Sequence, residues 1–485
     1  MRILRFIHFV IITLIGISVL SIIAAKAYHS SFTHDESFSY LQYVPQSFMD
    51  ILSFKDSYTN NHILNSLGMK YFEKIIGTSE FSLRLPNIVL FLVYGAFSFL
   101  LFKKSHKIIA ISFFVLLLTN NPIIDFFGLA RGYGLSIGFM MMAIYYLIEA
   151  LNSRKNIHLI LFHLAALLST LSNFTMLNFY VASVLIFYAV VFIEQRVIKQ
   201  NTFSFLKSYK LNWLWCLIST IVLYEPVRRL ITYNKMDFGG KSGFISDTFS
   251  SVINYTFYNL TLSNSMHGLL IFLFSILILF TFGLIVKMIA QKQLAFFQEN
   301  KALIVVNALI IFISLASIIQ HVLFHTDFLS GRFALFLIPL LLLNAGFLFS
   351  YLITLNYKKT LFSIVILLAM LSAYNFYSHV NMNSNSEWAY DANTKKAMQH
   401  LTLQHHASDS INLCVSWELE PTCNFYRTIW KLNWLKPIER YSLQNNSDFY
   451  YVFISSITHH EIISKKAYTC ISYFDDTKSV LLKAN

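Results

Sequence analysis

Two adjacent carboxylates, Asp35 and Glu36, follow His34 in a polar stretch just after the first long apolar run of the chain. A carboxylate in a half-dry cleft can act as a general base, because burial raises its pKa toward neutrality. An acidic pair at a helix start also offsets the helix dipole, so catalysis and helix stabilisation both account for it. Asn60-Asn61-His62 lies in the same stretch. Asn caps a helix, whereas His62 is suited to hydrogen-bond an acceptor or to orient Asp35. Ser82-Leu83-Arg84-Leu85-Pro86 enters the second apolar segment, and Arg84 there needs a partner, either a loop carboxylate or a phosphate. Asp125 and Arg131-Gly132-Tyr133 bracket a short turn. They read either as a salt bridge or as the second acidic loop of a two-carboxylate site. Arg332, in Gly331-Arg332-Phe333, opens a late apolar segment. A guanidinium at membrane depth costs about 2.5–3.5 kcal/mol. It either binds an anionic phosphate bidentately or snorkels to the interface.

The elements that must position these residues are membrane helices. Of 485 residues, 56% are hydrophobic and 13% charged, against about 25% charged in soluble domains; mean hydropathy is +0.56. Apolar runs fit spans of roughly 20 residues. Unpaired backbone cannot face lipid, so helices are the expected element, and the alternation of a β-barrel is missing. The net charge of +13 belongs to helix ends, where basic residues orient spans, and not to nucleic-acid binding. Residues 1–27 imitate a signal peptide, with Arg2, Arg5 and Ala25-Lys26-Ala27, but the apolar run exceeds the usual length and reads as an uncleaved first helix.

Eleven helices are expected, near 6–27, 84–102, 107–120, 130–150, 157–172, 176–194, 212–230, 266–286, 302–323, 333–352 and 360–378. With the N-terminus in the cytoplasm every inside loop is basic, including the one with Lys199 and Lys207, and the C-terminus lies outside. Residues 1–380 form the transmembrane domain. Its first outside loop, 28–83, carries helices near 35–44 and 61–77, the second lying along the interface. In the loop 231–265, Gly239-Gly240-Lys241-Ser242-Gly243 is not a nucleotide site, since neither Asn234 nor Lys235 supplies the P-loop glycine. Residues 381–485 are more polar and read as a small soluble α/β domain: a helix near 391–405, strands at 411–416 and 448–455, and a hairpin over 467–483 turning at Asp475-Asp476. An oxidising outside compartment permits a disulfide, most simply Cys414–Cys423, while the cysteine spacing resembles no zinc ribbon.

His34-Asp35-Glu36, Glu80-Phe81-Ser82-Leu83-Arg84-Leu85-Pro86, Ala130-Arg131-Gly132-Tyr133 and Gly331-Arg332-Phe333 with Pro339, in this order, resemble the GT-C glycosyltransferase superfamily. The likeness is greatest to the bacterial protein O-mannosyltransferase and lipid A aminoarabinose transferase group, and it covers about residues 1–345. Two departures stand out: Ile63 follows His62 where the group often has Pro, and Phe333 replaces a tyrosine. The resemblance implies transfer of a sugar from a polyprenyl-phosphate donor, with inversion, to an acceptor lipid, glycan or protein of the envelope. Asp35 would be the base. Glu36 or Asp125 would orient the acceptor or hold a divalent cation, which the carboxylates permit without requiring. His62, Arg84, Arg131, Tyr133 and Arg332 would bind substrate, with the phosphate on Arg332 and Arg131 or a basic residue of 228–241. The expected location is the cell membrane. The competing reading is a polytopic transporter or lipid flippase, but such proteins place ionisable groups near the midplane, and no inverted repeat is visible. A sugar polymerase or acyl-type transferase is a third.

Overall fold

The computed structural model describes residues 2–56, 58–198, 209–233, 239–258, 260–355, 358–405, 410–440, 447–454 and 468–485, with side chains at 2–8 and 196–198 left aside. Lys199, Lys207, Asn234 and Lys235 fall outside the described residues.

A helix stands at each of the eleven expected positions. Among the described residues eight are long and apolar enough to cross a membrane: Phe9–His29, Glu80–Phe102, Gly132–Ser153, Phe174–Gln195, Asn264–Ala290, Lys301–Phe324, Gly331–Thr354 and Lys358–Ser378. A ninth span is reached only if Lys107–Leu118 and Asn121–Phe127, bent by 64°, count as one. The remaining expected spans differ for physical reasons. Asn156–Ser172 is apolar but has only 17 residues, and Lys210–Thr232 carries Glu225, Arg228 and Arg229 near its end. Asn264–Ala290 has the highest hydropathy of these eight spans, yet only 17% of its apolar window is buried within the protein. Such a surface is stable only against lipid, so this is a multi-pass membrane protein.

The segment between the first two spans folds as expected into helices His34–Tyr43 and Ile63–Ile76, with a short helix Phe48–Leu52 between them. Ile63 and Met69 are buried while Tyr71 and Ile75 are exposed, as on an amphipathic helix. Buried amides tie this segment to the bundle. Asn65 donates to the Ala130 carbonyl at 2.7 Å, and Asn87 donates to Asn65 at 3.0 Å and accepts from the Leu135 N–H at 3.1 Å. These two buried amides thereby find partners. A Cβ at Gly132 would come within 1.9 Å of the Ser172 carbonyl oxygen and 2.7 Å of the His62 Cβ. That position admits no side chain, and the close approach draws Arg131 against the first segment.

The C-terminal region contains helices Thr394–Gln404 and Glu420–Ile429 and strands β1 (Leu413–Val415), β2 (Phe449–Phe453), β3 (Tyr468–Phe474) and β4 (Ser479–Ala484). The sheet order is β1-β2-β4-β3, with β1 and β2 parallel and the other pairs antiparallel. The expected hairpin is β3–β4. The Glu420–Ile429 helix was not expected. It is amphipathic, and its buried Phe425 stacks on Phe32 at 4.2 Å and meets Tyr40 edge-on at 5.2 Å. Cys414 and Cys423 are both buried, and no disulfide joins them. Gly239–Gly243 is held by Asp247, which accepts from the Ser242 and Gly243 N–H groups at 2.7 and 3.0 Å.

Candidate active site

Asp35 sits in the first turn of the His34–Tyr43 helix. Glu36, one residue on, accepts from the Thr33 N–H at 2.9 Å, which ties the helix start to its third residue. Glu36 also takes two hydrogen bonds from Arg84, at 2.8 and 2.7 Å, and one from the Ala130 N–H at 2.5 Å. Arg84 spends its remaining donors on the carbonyls of Ala27, Ser30 and Ser31. Both side chains are fully buried. Glu36, expected to orient the acceptor or hold a cation, and Arg84, expected to bind substrate, here meet each other in a closed pair beside the helix that presents Asp35.

The Asp35 side chain keeps 16% of its surface exposed. Its Oδ2 lies 3.3 Å from Arg131 Nη2 and 3.3 Å from Arg332 Nη2. Arg131, the residue before the Gly132–Ser153 helix, also donates to Ser39 Oγ at 3.0 Å and the Asp35 carbonyl at 3.3 Å. Arg332 is carried by a single 3₁₀ turn, Gly331–Ala334, whose Gly331 adopts φ 55°. That left-handed backbone favours glycine. Asp35 Oδ2, Arg131 Nε and Arg332 Nε are buried without a hydrogen-bond partner among the described residues. Oδ2 is met by charge alone, and the two Nε donors beside it need an explanation, of which a ligand is one. Burial alone would raise the Asp35 carboxyl, but Arg131 and Arg332, with His34 and Arg440 behind them, hold it below its ordinary value.

Asp125 does not pair with Arg131. Lys26 reaches it from the first helix at 2.5 Å, and the Ser386 N–H approaches its other oxygen at 3.4 Å. The bend between Lys107–Leu118 and Asn121–Phe127 carries Asp125 to this end of the bundle. In the sequence Lys26 stands within a cleavage-like Ala25-Lys26-Ala27. A charged residue near the end of a span needs a counter-charge there, as Arg84 does. His62 has its ring 5.0 Å from Tyr133. Burial first, then the charges of Arg131 and Arg332, push its pKa well below the ordinary value, so the imidazole is neutral. Tyr133 is 2% exposed, and its hydroxyl faces Arg332, offering a hydroxyl where Phe333 has none.

The residues that the sequence did not single out come from the chain leaving the last membrane helix. Trp388, 3% exposed, lies under both guanidiniums, 5.0 Å from Arg332 and 6.0 Å from Arg131. Glu387 Oε2 is 3.5 Å from Arg332 Nη1. Burial and the Asp35 charge raise its carboxyl. Asp391 accepts from the His34 N–H at 2.7 Å and the Thr394 hydroxyl at 3.1 Å. The His34 ring is held by the Glu418 carbonyl at 2.6 Å and by Arg440 at 3.2 Å. The C-terminal region thus supports the acidic motif directly.

Among the described residues no three His, Cys, Asp or Glu side chains converge as a metal set. The charge of Asp35 is already met by two guanidiniums, which would repel a divalent cation. The residues present do not fit a cation at Asp35.

No protein-family model and no curated protein matches the chain. Solved structures do. ArnT from Cupriavidus metallidurans bound to undecaprenyl phosphate aligns over 98% of this chain and 97% of its own, at 10% identity and a TM-score of 0.53. The apo form of the same protein aligns over the same shares at 0.49. The Archaeoglobus fulgidus oligosaccharyltransferase, in complex with zinc and sulfate, aligns over 92% of this chain and 69% of its own, at 12% identity and 0.40. The fold of this chain is like that of the Cupriavidus metallidurans protein, and the likeness runs nearly end to end.

Proposed function

We propose that this protein is a membrane glycosyltransferase that moves a sugar from a polyprenyl-phosphate donor to an envelope acceptor, a lipid, glycan or protein, with inversion at the anomeric carbon. The observation that carries this reading is the single carboxylate oxygen of Asp35 facing two guanidiniums. A donor phosphate suits those guanidiniums better than one carboxylate does, because Arg binds phosphate bidentately. The solved ArnT structure named above holds undecaprenyl phosphate, which makes a lipid phosphate the natural candidate. The basic loops of the other membrane face favour a site outside the cytoplasm, where a lipid-linked donor is reachable from the bilayer. The carboxy-terminal domain, residues 381–485, would lie on the same side, at the cell membrane.

In this mechanism the acceptor hydroxyl attacks the anomeric carbon from the face opposite the phosphate. Its proton passes to Asp35, the new C–O bond forms, and the anomeric C–O bond to phosphate breaks. The electron pair leaves on the polyprenyl phosphate, whose growing charge Arg131 and Arg332 offset. The donor activates the base as it binds: phosphate draws the guanidiniums off Asp35, and a carboxylate relieved of two cations becomes more basic. His62 stays neutral and packs Tyr133. Asp125, closed by Lys26, holds the Ser386 backbone.

Membranes containing the protein, given polyprenyl phosphate carrying a labelled sugar, should release polyprenyl phosphate and label an acceptor. Absence of transfer from any such donor, with the protein correctly inserted, would remove this reading.

A further inference from the structure

We infer that Glu387 is a positioning residue that governs the basicity of Asp35 by sharing Arg332 with it, an inference that rests on the sugar-transfer reading above. One guanidinium stands between two carboxylates: Arg332 Nη2 is 3.3 Å from Asp35 and Nη1 is 3.5 Å from Glu387. Neither contact is tight, and about a quarter of each of the Arg332 and Glu387 side chains is exposed. Trp388 underlies the guanidinium at 5.0 Å and meets Phe126 edge-on. A flat aromatic floor lets Arg332 slide between its two partners without leaving its cation–π contact.

The backbone that carries Glu387 is tied on both sides. The Ser386 N–H points to Asp125, and Asp391 takes the His34 N–H at the helix that bears Asp35. Glu387 is therefore set against the site by both the bundle and the acidic motif. The charges that bear on the pair can be named. Asp35 faces Arg131, Arg332, His34 and Arg440; Glu387 feels the Asp35 charge and lies 3.5 Å from Arg332, which Tyr133 and Tyr390 also face. Asp125 and Glu36 are closed by Lys26 and Arg84.

An ionised Glu387 draws Arg332 toward itself and leaves Asp35 with Arg131 alone, which strengthens the base. A protonated Glu387 releases Arg332 to Asp35 and quenches it. Glu387 is raised and Asp35 lowered, so as pH falls Glu387 takes the first proton. The acid side of the rate profile then reports Glu387, although Asp35 accepts the proton in the reaction.

The experiment is the pH dependence of transfer by full-length Glu387→Gln in membranes, using polyprenyl phosphate with a labelled sugar. We expect kcat/KM to fall about tenfold at neutral pH, and its acid limb, which reports the donor-free enzyme in which Arg332 lies between the two carboxylates, to move to lower pH, since the group that titrates first is gone. Glu387→Asp, which keeps the charge, should retain the limb and recover most of the rate. The position of a pH limb does not depend on how much enzyme is folded, so poor yield leaves the test intact. Wild-type transfer combined with an unmoved limb in Glu387→Gln overturns this inference alone. Absence of transfer in the wild type overturns the sugar-transfer reading and this inference with it.

Discussion

Arg84 donates from Nε and Nη2 to the two oxygens of Glu36, at 2.8 and 2.7 Å, and neither side chain reaches solvent. A fork-to-fork pair at this depth persists only because every remaining donor and acceptor is used. Here the carbonyls of Ala27, Ser30 and Ser31 and the Ala130 N–H complete it. The pair joins the end of the first span, the Glu80–Phe102 helix and the turn before Arg131 at the point where Asp35 projects.

Removing one partner should therefore act on the fold. Arg84→Ala leaves a buried carboxylate unpaired, at a cost of about 3–5 kcal/mol, and should lower the thermal midpoint in detergent and the yield of inserted protein. Arg84→Lys keeps the charge but not the fork and should fall between. An unchanged midpoint together with lost transfer would return Arg84 to the substrate.

Asp35→Asn separates two properties that most active-site substitutions lose together. Loss of the base should lower transfer by about 10²–10⁴-fold. Asp35 also competes with phosphate for Arg131 and Arg332, each 3.3 Å away, so its neutral replacement should bind polyprenyl phosphate more tightly than the wild type. Titration of the purified variant with polyprenyl phosphate checks this. Weaker binding by Asp35→Asn would mean that the carboxylate helps the donor and does not rival it.

The convergence of Asp35, Arg131 and Arg332 was legible in the sequence because topology alone puts three helix ends on one face, and a charged residue there needs a counter-charge. The partners were less legible. Asp125 and Arg131 are close in the chain and read as a pair, yet Lys26 takes Asp125, since the bend after Leu118 turns the short Asn121–Phe127 helix toward the first span. Glu36 was expected beside Asp35 in the site, but one residue along a helix is a rotation of about 100°, which sends Glu36 into the core and leaves Asp35 partly exposed. Glu387, Trp388 and Asp391 were hidden in a change of composition. Their place depends on how the chain doubles back beneath Arg332, which no local pattern encodes.

The Asp391 carboxyl gives the fold a pH dependence. Burial foremost, with the nearby Glu36 charge, pushes it up to about 8, against the hydrogen bonds from His34, Thr422 and Thr394. The folded protein then holds a proton that the unfolded chain loses above about pH 4. Stability from this group is therefore fully present below about pH 4 and is lost as pH rises toward about 8. Asp391→Asn, which cannot ionise, should flatten the fall of the thermal midpoint between pH 5 and pH 9. A slope equal to that of the wild type would show that other groups set it.

Tyr426 is one of the contacts through which the C-terminal region grips the membrane bundle. Its hydroxyl accepts from the Phe32 N–H at 2.8 Å and donates to Glu80 at 3.2 Å, and Lys395 reaches the same Glu80 oxygen at 2.7 Å. Tyr426→Phe keeps the ring and strands the buried Phe32 N–H, which costs about 1–3 kcal/mol. Because Phe32 leads into the helix of Asp35, the loss should be felt there as well as in the C-terminal region. Hydrogen exchange should quicken in both His34–Tyr43 and Glu420–Ile429, while helices such as Lys301–Phe324 stay protected. Transfer should fall several-fold with the donor affinity little changed, since Arg131 and Arg332 are anchored elsewhere. Exchange that quickens in Glu420–Ile429 alone would mean that the C-terminal region covers the acidic motif without holding it.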